Sequence, residues 1–445
     1  MRGGVGAAAD RGEVAGSGEL SVDTVVAVAQ VALGFMVGAL GACLILLARD
    51  LDVARTCLSW LSAGFGVALL VAGPVGPPLL ARGRQRVLQV SAAVLGAGAV
   101  ALALAPGLIV AQLGALLLGA GGAGIVLATP ALLTGPAAAR RLSRVSAVAS
   151  MAGALAPLAL SATDLLPGSG RLALLLPVPL LGWLCANPRI QLPEAGPPAG
   201  PLPGQRVPSE QIPAEHTPGA QTLGAQTLGE RAPGRPVPGE RVPADQIPGE
   251  QVLDERVLDE RVRGWRVLAR WAAMVLAVTA EFAFAVWAAA RLQDSGLTVA
   301  AAAAAAAAFP LGMAVGRFGA TWLLDRVPVV PPSAALVLAG TVVLIAPAGP
   351  VLCTGALALA GLGIAALYPV TLARLMHEPG LAGSHAAALG ATASGTAIVA
   401  GPLVIGLVSA ATSLRTAFLI MVPLLLGLLA LSRDGTRRSR RTRGA

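Results

Sequence analysis

Long apolar runs separated by short polar breaks recur along the chain, and none alternates with the two-residue period of a strand. A bilayer core about 30 Å thick takes about 20 apolar residues per helix. Twelve runs approach or exceed that length: 24–48, 57–80, 87–105, 108–134, 143–162 and 171–186, then 267–290, 298–324, 330–348, 350–375, 383–410 and 415–432. The pattern predicts an all-α membrane protein of twelve transmembrane helices. They form two six-helix bundles of nearly equal length, residues 24–186 and 267–432, either side of a polar insert at 187–266. Tails are expected at 1–23 and 433–445, the first polar and Gly-rich without a cleavable signal pattern.

Composition agrees. Hydrophobic residues make up 55% of the chain and charged residues 12%, against about 25% charged in a soluble domain. A water-soluble monomer of this kind would expose too much apolar surface, which excludes a cytosolic enzyme, a secreted disulfide scaffold and a nucleic-acid-binding module. The net charge of +9 is carried wholly by Arg, since no Lys occurs. The arginines cluster between apolar runs: Arg82, Arg84 and Arg86 after span two, Arg140, Arg141 and Arg144 after span four, Arg326 after span eight, and the tail from Arg437 to Arg443. By the positive-inside rule these segments, both termini and the insert are cytoplasmic, in a multi-pass protein of the cell membrane. The tail is suited to anionic lipid headgroups. Loops on the opposite side, such as Pro106-Gly107 and Ala348-Gly349, carry no charge. Cys43, Cys57, Cys185 and Cys353 have no CxxC spacing and read as small apolar residues. No metal or cofactor is expected.

The insert has a period of its own. Residues 205–264 parse as twelve consecutive pentads, from QRVPS to ERVRG. Five residues advance a helix about 140° past a full turn, so the repeated Val or Ile builds no apolar face. Pro recurs in most pentads and would delete ladder donors from a solenoid. The expected state is a disordered linker, with a partner-binding motif as the alternative. The last pentads lose Pro and are compatible with a helix running into span seven.

Two six-helix halves around a long middle loop resemble the major facilitator superfamily. That family places a Gly-x-Leu-x-Asp-Arg-x-Gly-Arg-Arg motif between spans two and three. Here Gly76, Gly83, Arg84 and Arg86 fit it, while Leu80 and Ala81 replace its Asp and first Arg. The equivalent place after span eight keeps Asp325 and Arg326 but lacks both glycines. The resemblance therefore implies a charged gate resting on Asp325 and Arg326. The second half is similar to the fucose-permease-like branch, in its actinobacterial form. The resembling stretches are Glu281-Phe282 and Trp287-Ala288-Ala289, Gly312-Met313-Ala314-Val315-Gly316-Arg317, Gly361-Leu362-Gly363 with Leu367-Tyr368-Pro369-Val370, and Gly401-Pro402. It implies the fold of that superfamily and alternating access, with the halves rocking around a central cavity. Two family features of drug efflux are missing: span five reads Ala156-Pro157 rather than Gly-Pro, and Ala115 stands about where span four would carry Arg.

The residues alone lead to a similar place. Glu281 is the one acid well inside a span. It lies eleven residues past Arg270, a rise of about 16 Å, or half the hydrocarbon depth. An ionised side chain there costs on the order of 3 kcal/mol or more, so a carboxyl is protonated, paired, or facing a water-filled cavity. Glu281 is the candidate proton-coupling residue; the alternative is a neutral Glu bonded to a neighbouring helix. Arg317 is the other embedded charge, either binding an anionic group, pairing with an acid of the gate, or snorkelling to the headgroups. Trp287 and Tyr368 are candidates to line the cavity, as are Gln30 and Gln112, for which helix–helix hydrogen bonds are the alternative. Ala300–Ala308 and the glycines from Gly119 to Gly124 offer smooth faces for close helix approach, though compositional drift produces such runs too.

The expected function is secondary transport of a small organic solute, coupled to protons, by a monomer. Drug or metabolite efflux is the alternative within transport, and a non-transporting scaffold or sensor the alternative outside it. Without Lys no Gly-x4-Gly-Lys-[Ser/Thr] loop exists, which excludes an ATP-driven pump in this chain. Intramembrane hydrolysis needs clustered His and carboxylates, yet His216, His377 and His385 lie in or near loops.

Overall fold

A computed structural model describes residues 21–133, 138–166, 169–186, 249–323, 329–381 and 383–442. Asp325, Arg326 and most of the pentad repeat lie outside the described residues, as does the N-terminal tail through residue 20. Among the described residues the chain is helical and no strand occurs. Among these residues nine helices are long and apolar enough to cross a membrane, and shorter apolar helices at Leu61–Gly76, Gly170–Ala186 and Val330–Ile345 bring the set to twelve.

The first half comprises α1 (Val22–Asp50), α2 (Ser59–Ala81), α3 (Arg84–Ala103), α4 (Leu108–Leu132), α5 (Ala138–Asp164) and α6 (Val178–Ala186), the last preceded by a 3-10 turn at Gly170–Leu175. The second comprises α7 (Gly249–Asp294), α8 (Val299–Ala305), α9 (Ala308–Leu323), α10 (Val330–Ile345), α11 (Pro350–Ile364), α12 (Leu367–Met376), α13 (Gly383–Ala411), α14 (Leu414–Ala417) and α15 (Met421–Thr442). Spans eight, ten and twelve are thus each divided. The cause is proline: with no N–H at residue i, the carbonyl at i−4 loses its partner and the ring crowds it. Pro310 follows the break at Ala306-Ala307, and Pro369 follows that at Ala365-Ala366. The alanine run is therefore not one smooth rod. Near Pro310, Ala307 N bonds Ala304 O and Phe309 N bonds Ala306 O in tight 3-10 steps.

Helix α7 begins at Gly249, inside the predicted insert, and α15 continues through the basic tail to Thr442. Outward faces carry apolar side chains such as Ile109, 79% exposed, and Val351, 85% exposed; lipid, not water, suits such surfaces.

Glycine lets the helices meet backbone to backbone. A Cβ on Gly34 or Gly38 would strike the α5 backbone at Ala149 or Gly153, and one on Gly312 would strike Ala358 of α11. Between the halves, α2 packs on α13, where Gly66 faces Gly395, and α5 packs on α8 and α9. The glycines of α4 serve the same end, with Gly119 against Phe65 and Gly121 against Leu95.

Charge is concentrated and paired where spans one, five and seven end. Arg49 grips Asp164 through two bonds of 2.7 Å and also holds Asp50, while Arg171 Nε stands 2.9 Å from Asp50. Arg55 pairs with Asp294 across the halves at 2.9 Å. Arg49, Arg55 and Arg171, on the side predicted to be poor in Arg, are thus each paired with an aspartate. Arg291, fully buried, donates to the carbonyls of Leu344 at 2.8 Å and Ala346 at 3.2 Å. It thereby satisfies the C-terminus of α10, where a cation also meets the negative end of the helix dipole. At the opposite end, buried Glu378 receives Arg270 at 3.4 Å and Arg266 at 3.7 Å.

Candidate functional site

A cavity of about 250 Å³ lies between the halves, walled by α1, α2 and α5 on one side and α7, α9, α12 and α13 on the other. Proline and glycine shape its walls. Pro157 lies inside α5, Pro310 sits where α8 gives way to α9, and Gly34 and Gly38 leave α1 without bulk.

Glu281 of α7 and Arg317 of α9 meet there, with Arg317 Nη2 3.6 Å from Glu281 Oε1. Arg317 Nη1 also donates to Ser150 Oγ of α5. One guanidinium therefore touches both halves. Ser150 in turn donates to the Ser146 carbonyl, 2.9 Å away, one turn earlier. Tyr368 of α12 and Ser394 of α13 also line the cavity, beside Glu281 and Arg317. Gln30 lines the cavity from α1 and donates to Thr129 Oγ1 of α4 at 2.7 Å. The wall is otherwise apolar, with Phe65 of α2 stacked on Phe282 of α7 across the halves, ring centroids 6.3 Å apart.

Four of the expected residues thus come together: Gln30, Glu281, Arg317 and Tyr368. Arg317 does not snorkel; it is drawn inward to Glu281 and Ser150. Trp287 does not line the cavity. It is packed inside the second half, 1% exposed, with its indole N–H donating to the Pro402 carbonyl at 3.1 Å. A buried indole needs one acceptor, and the Gly401-Pro402 stretch supplies it. Gln112 also lies off the cavity, its amide nitrogen against Gly64 between α4 and α2.

The loop-motif residues act within the first half. Gly76 lets Leu127 of α4 approach α2, and Gly83 turns the chain into α3 with φ of 131°, a conformation open to glycine. Arg84 donates to the Ala131 carbonyl at 2.8 Å, closing the end of α4, and Arg86 is exposed. The other part of that motif, Asp325 and Arg326, lies outside the described residues.

The sequence reading missed Ser146, Ser150 and Ser394. The first two had a legible signal, two hydroxyls four residues apart and so on one helix face. Among the described residues no group of three or more His, Cys, Asp or Glu could hold a metal ion.

The sequence model described as Major Facilitator Superfamily matches residues 26–384. A search of curated proteins returns no match. Among solved structures, the nucleoside transporter NupG is similar with a TM-score of 0.62 at 12% identity, covering 93% of this chain and 99% of that one. A peptide transporter, POT, in complex with sulfate is similar with a TM-score of 0.61 at 14% identity, covering 93% and 94%. At such identities the likeness concerns the fold.

Proposed function

The chain belongs to the Major Facilitator Superfamily, and from that premise we propose that it moves a small organic solute by alternating access, coupled to protons through Glu281. Membership makes it a multi-pass membrane transporter and not an enzyme. The observation that carries the proton reading is the position of Glu281. It lies mid-span in α7, turned into a cavity between the halves and next to a cation that also holds the opposite half. An intramembrane carboxylate persists only where a partner, a proton or water stabilises it. Here protonation of Glu281 removes the partner of Arg317 and leaves Arg317 to Ser150 alone. The proton thus acts on the guanidinium that joins the two halves, which is what coupling requires.

Both termini are assigned to the cytoplasm by the Arg clusters after spans two and four, and the second half is assigned to the fucose-permease-like branch by its motifs. Direction is a separate matter. The mostly apolar lining favours, as a second reading, export of an apolar metabolite.

The test is transport by purified protein in liposomes. A pH gradient should drive accumulation by the wild type. Glu281→Gln should abolish that accumulation while retaining solute exchange without a gradient. Undiminished proton-driven accumulation by the mutant would refute the assignment.

A further inference from the structure

The lining of the cavity points to a substrate class. Its charged and hydroxyl groups Arg317, Glu281, Ser150, Tyr368 and Ser394 adjoin, Gln30 and Ser146 add two further polar side chains, and the rest of the lining is apolar, with Phe65, Phe282 and Phe309 among it. A polyhydroxylated solute would leave most of its hydroxyls facing hydrocarbon without partners, which costs about 1–3 kcal/mol for each group. Pockets for drug-sized ligands run from about 300 to 1,000 Å³, and this cavity, about 250 Å³, suits something smaller.

The sign of the charge follows from which group can lose it. Arginine keeps its proton under all ordinary conditions, whereas Glu281 can be neutralised. The titratable groups facing Glu281 from the surrounding elements are Arg317 on α9 and Tyr368 on α12; α1, α5 and α13 present Gln30, Ser146, Ser150 and Ser394, which do not titrate. A protonated Glu281 therefore leaves the cavity with one uncompensated cation. An organic cation would have to sit beside it in a low-dielectric space, where like charges repel strongly. An anion would replace the lost carboxylate.

Building on the proton assignment above, we propose that the substrate is a small aromatic or branched organic monoanion whose acidic group binds Arg317 once Glu281 has taken a proton. Proton and anion then occupy the cavity together as a neutral pair. Return of Arg317 to the deprotonated Glu281 expels the anion. Guanidinium suits the task because its planar fork donates two parallel hydrogen bonds to a carboxylate.

The test uses purified full-length protein and three probes that share a phenyl body: phenylacetate, phenethylamine and phenethyl alcohol. Binding is followed by thermal shift and calorimetry at mildly acidic and at neutral pH. Phenylacetate should bind at least about tenfold more tightly than the other two, equivalent to 1.4 kcal/mol, and more tightly in acid. Arg317→Gln should abolish this binding, and Arg317→Lys should keep it in weakened form, which separates charge from folding. Glu281→Gln should bind phenylacetate with no dependence on pH. Preference for phenethylamine or the alcohol would overturn the anion class while leaving Glu281 as a proton site. Absence of binding by all three would overturn the class as well. Phenylacetate binding whose pH dependence survives in Glu281→Gln would uphold the class and overturn the proton assignment.

Discussion

Arg55, in the turn between α1 and α2, and Asp294, the last residue of α7, face each other at 2.9 Å and join the two halves beyond the cavity. Ser161 of α5 bonds the Ala300 carbonyl of α8 at 2.8 Å across the same divide, and Gly41 brings α1 against the Ala285 carbonyl of α7. These contacts hold one end of the bundle together. Rocking of the halves must break them.

The ion pair is about one-third exposed on both sides, so it contributes no more than about 1 kcal/mol. Arg55→Ala or Asp294→Ala should therefore raise the population open at that end by up to about fivefold. Reaction of a cysteine placed at Ala42 with an impermeant thiol reagent, in a background without the native cysteines, reads this population. The exchanged pair Arg55→Asp with Asp294→Arg should return the rate toward the wild-type value.

Glu378 is buried between Arg266 and Arg270, which approach within 3.7 and 3.4 Å. Replacing it with Gln leaves these cations, and Arg374 near Arg270, without their counter-charge. Stability should fall by about 1–3 kcal/mol, measured as a lower Tm in detergent. Added salt should recover part of the loss, since screening relieves the repulsion.

Arg291 holds the end of α10 through the Leu344 and Ala346 carbonyls. Arg291→Met retains much of the volume and removes the donors, at a cost of about 1–3 kcal/mol. Arg291→Lys should recover part of it. Thermal unfolding of the three proteins side by side checks the order.

Gly38 faces Gly153 with no room for a side chain. Gly38→Val should force α1 and α5 apart and destabilise by about 1–3 kcal/mol. Because both glycines line the cavity, solute exchange should fall as well. A variant as stable and active as the wild type would show that the helices can separate without penalty.

The twelve spans were legible because each crossing needs a long apolar run, a requirement that acts along the chain. The divisions at Ala306-Ala307 and Ala365-Ala366 were visible too, in Pro310 and Pro369, but an unbroken apolar run conceals a bend. The site was half legible. Glu281 and Arg317 stood out as charges in apolar sequence, yet their meeting depends on how α7 and α9 are rotated against each other, which no single helix encodes. Trp287 was misplaced for a related reason: an aromatic residue near a functional acid can face the cavity or the core, and the Pro402 carbonyl on α13 draws it to the core. Arg49, Arg55 and Arg171 disturb a simple charge rule because they pair respectively with Asp164, Asp294 and Asp50, each distant in sequence.

The central claim is that the Glu281 carboxyl gains and loses the proton that accompanies transport. Infrared difference spectroscopy of the full-length protein in lipid, stepped between acidic and neutral pH, observes that carboxyl directly. A protonated-carboxyl stretching band should appear in acid in the wild type and be missing from Glu281→Gln. An identical band in both proteins would contradict the account.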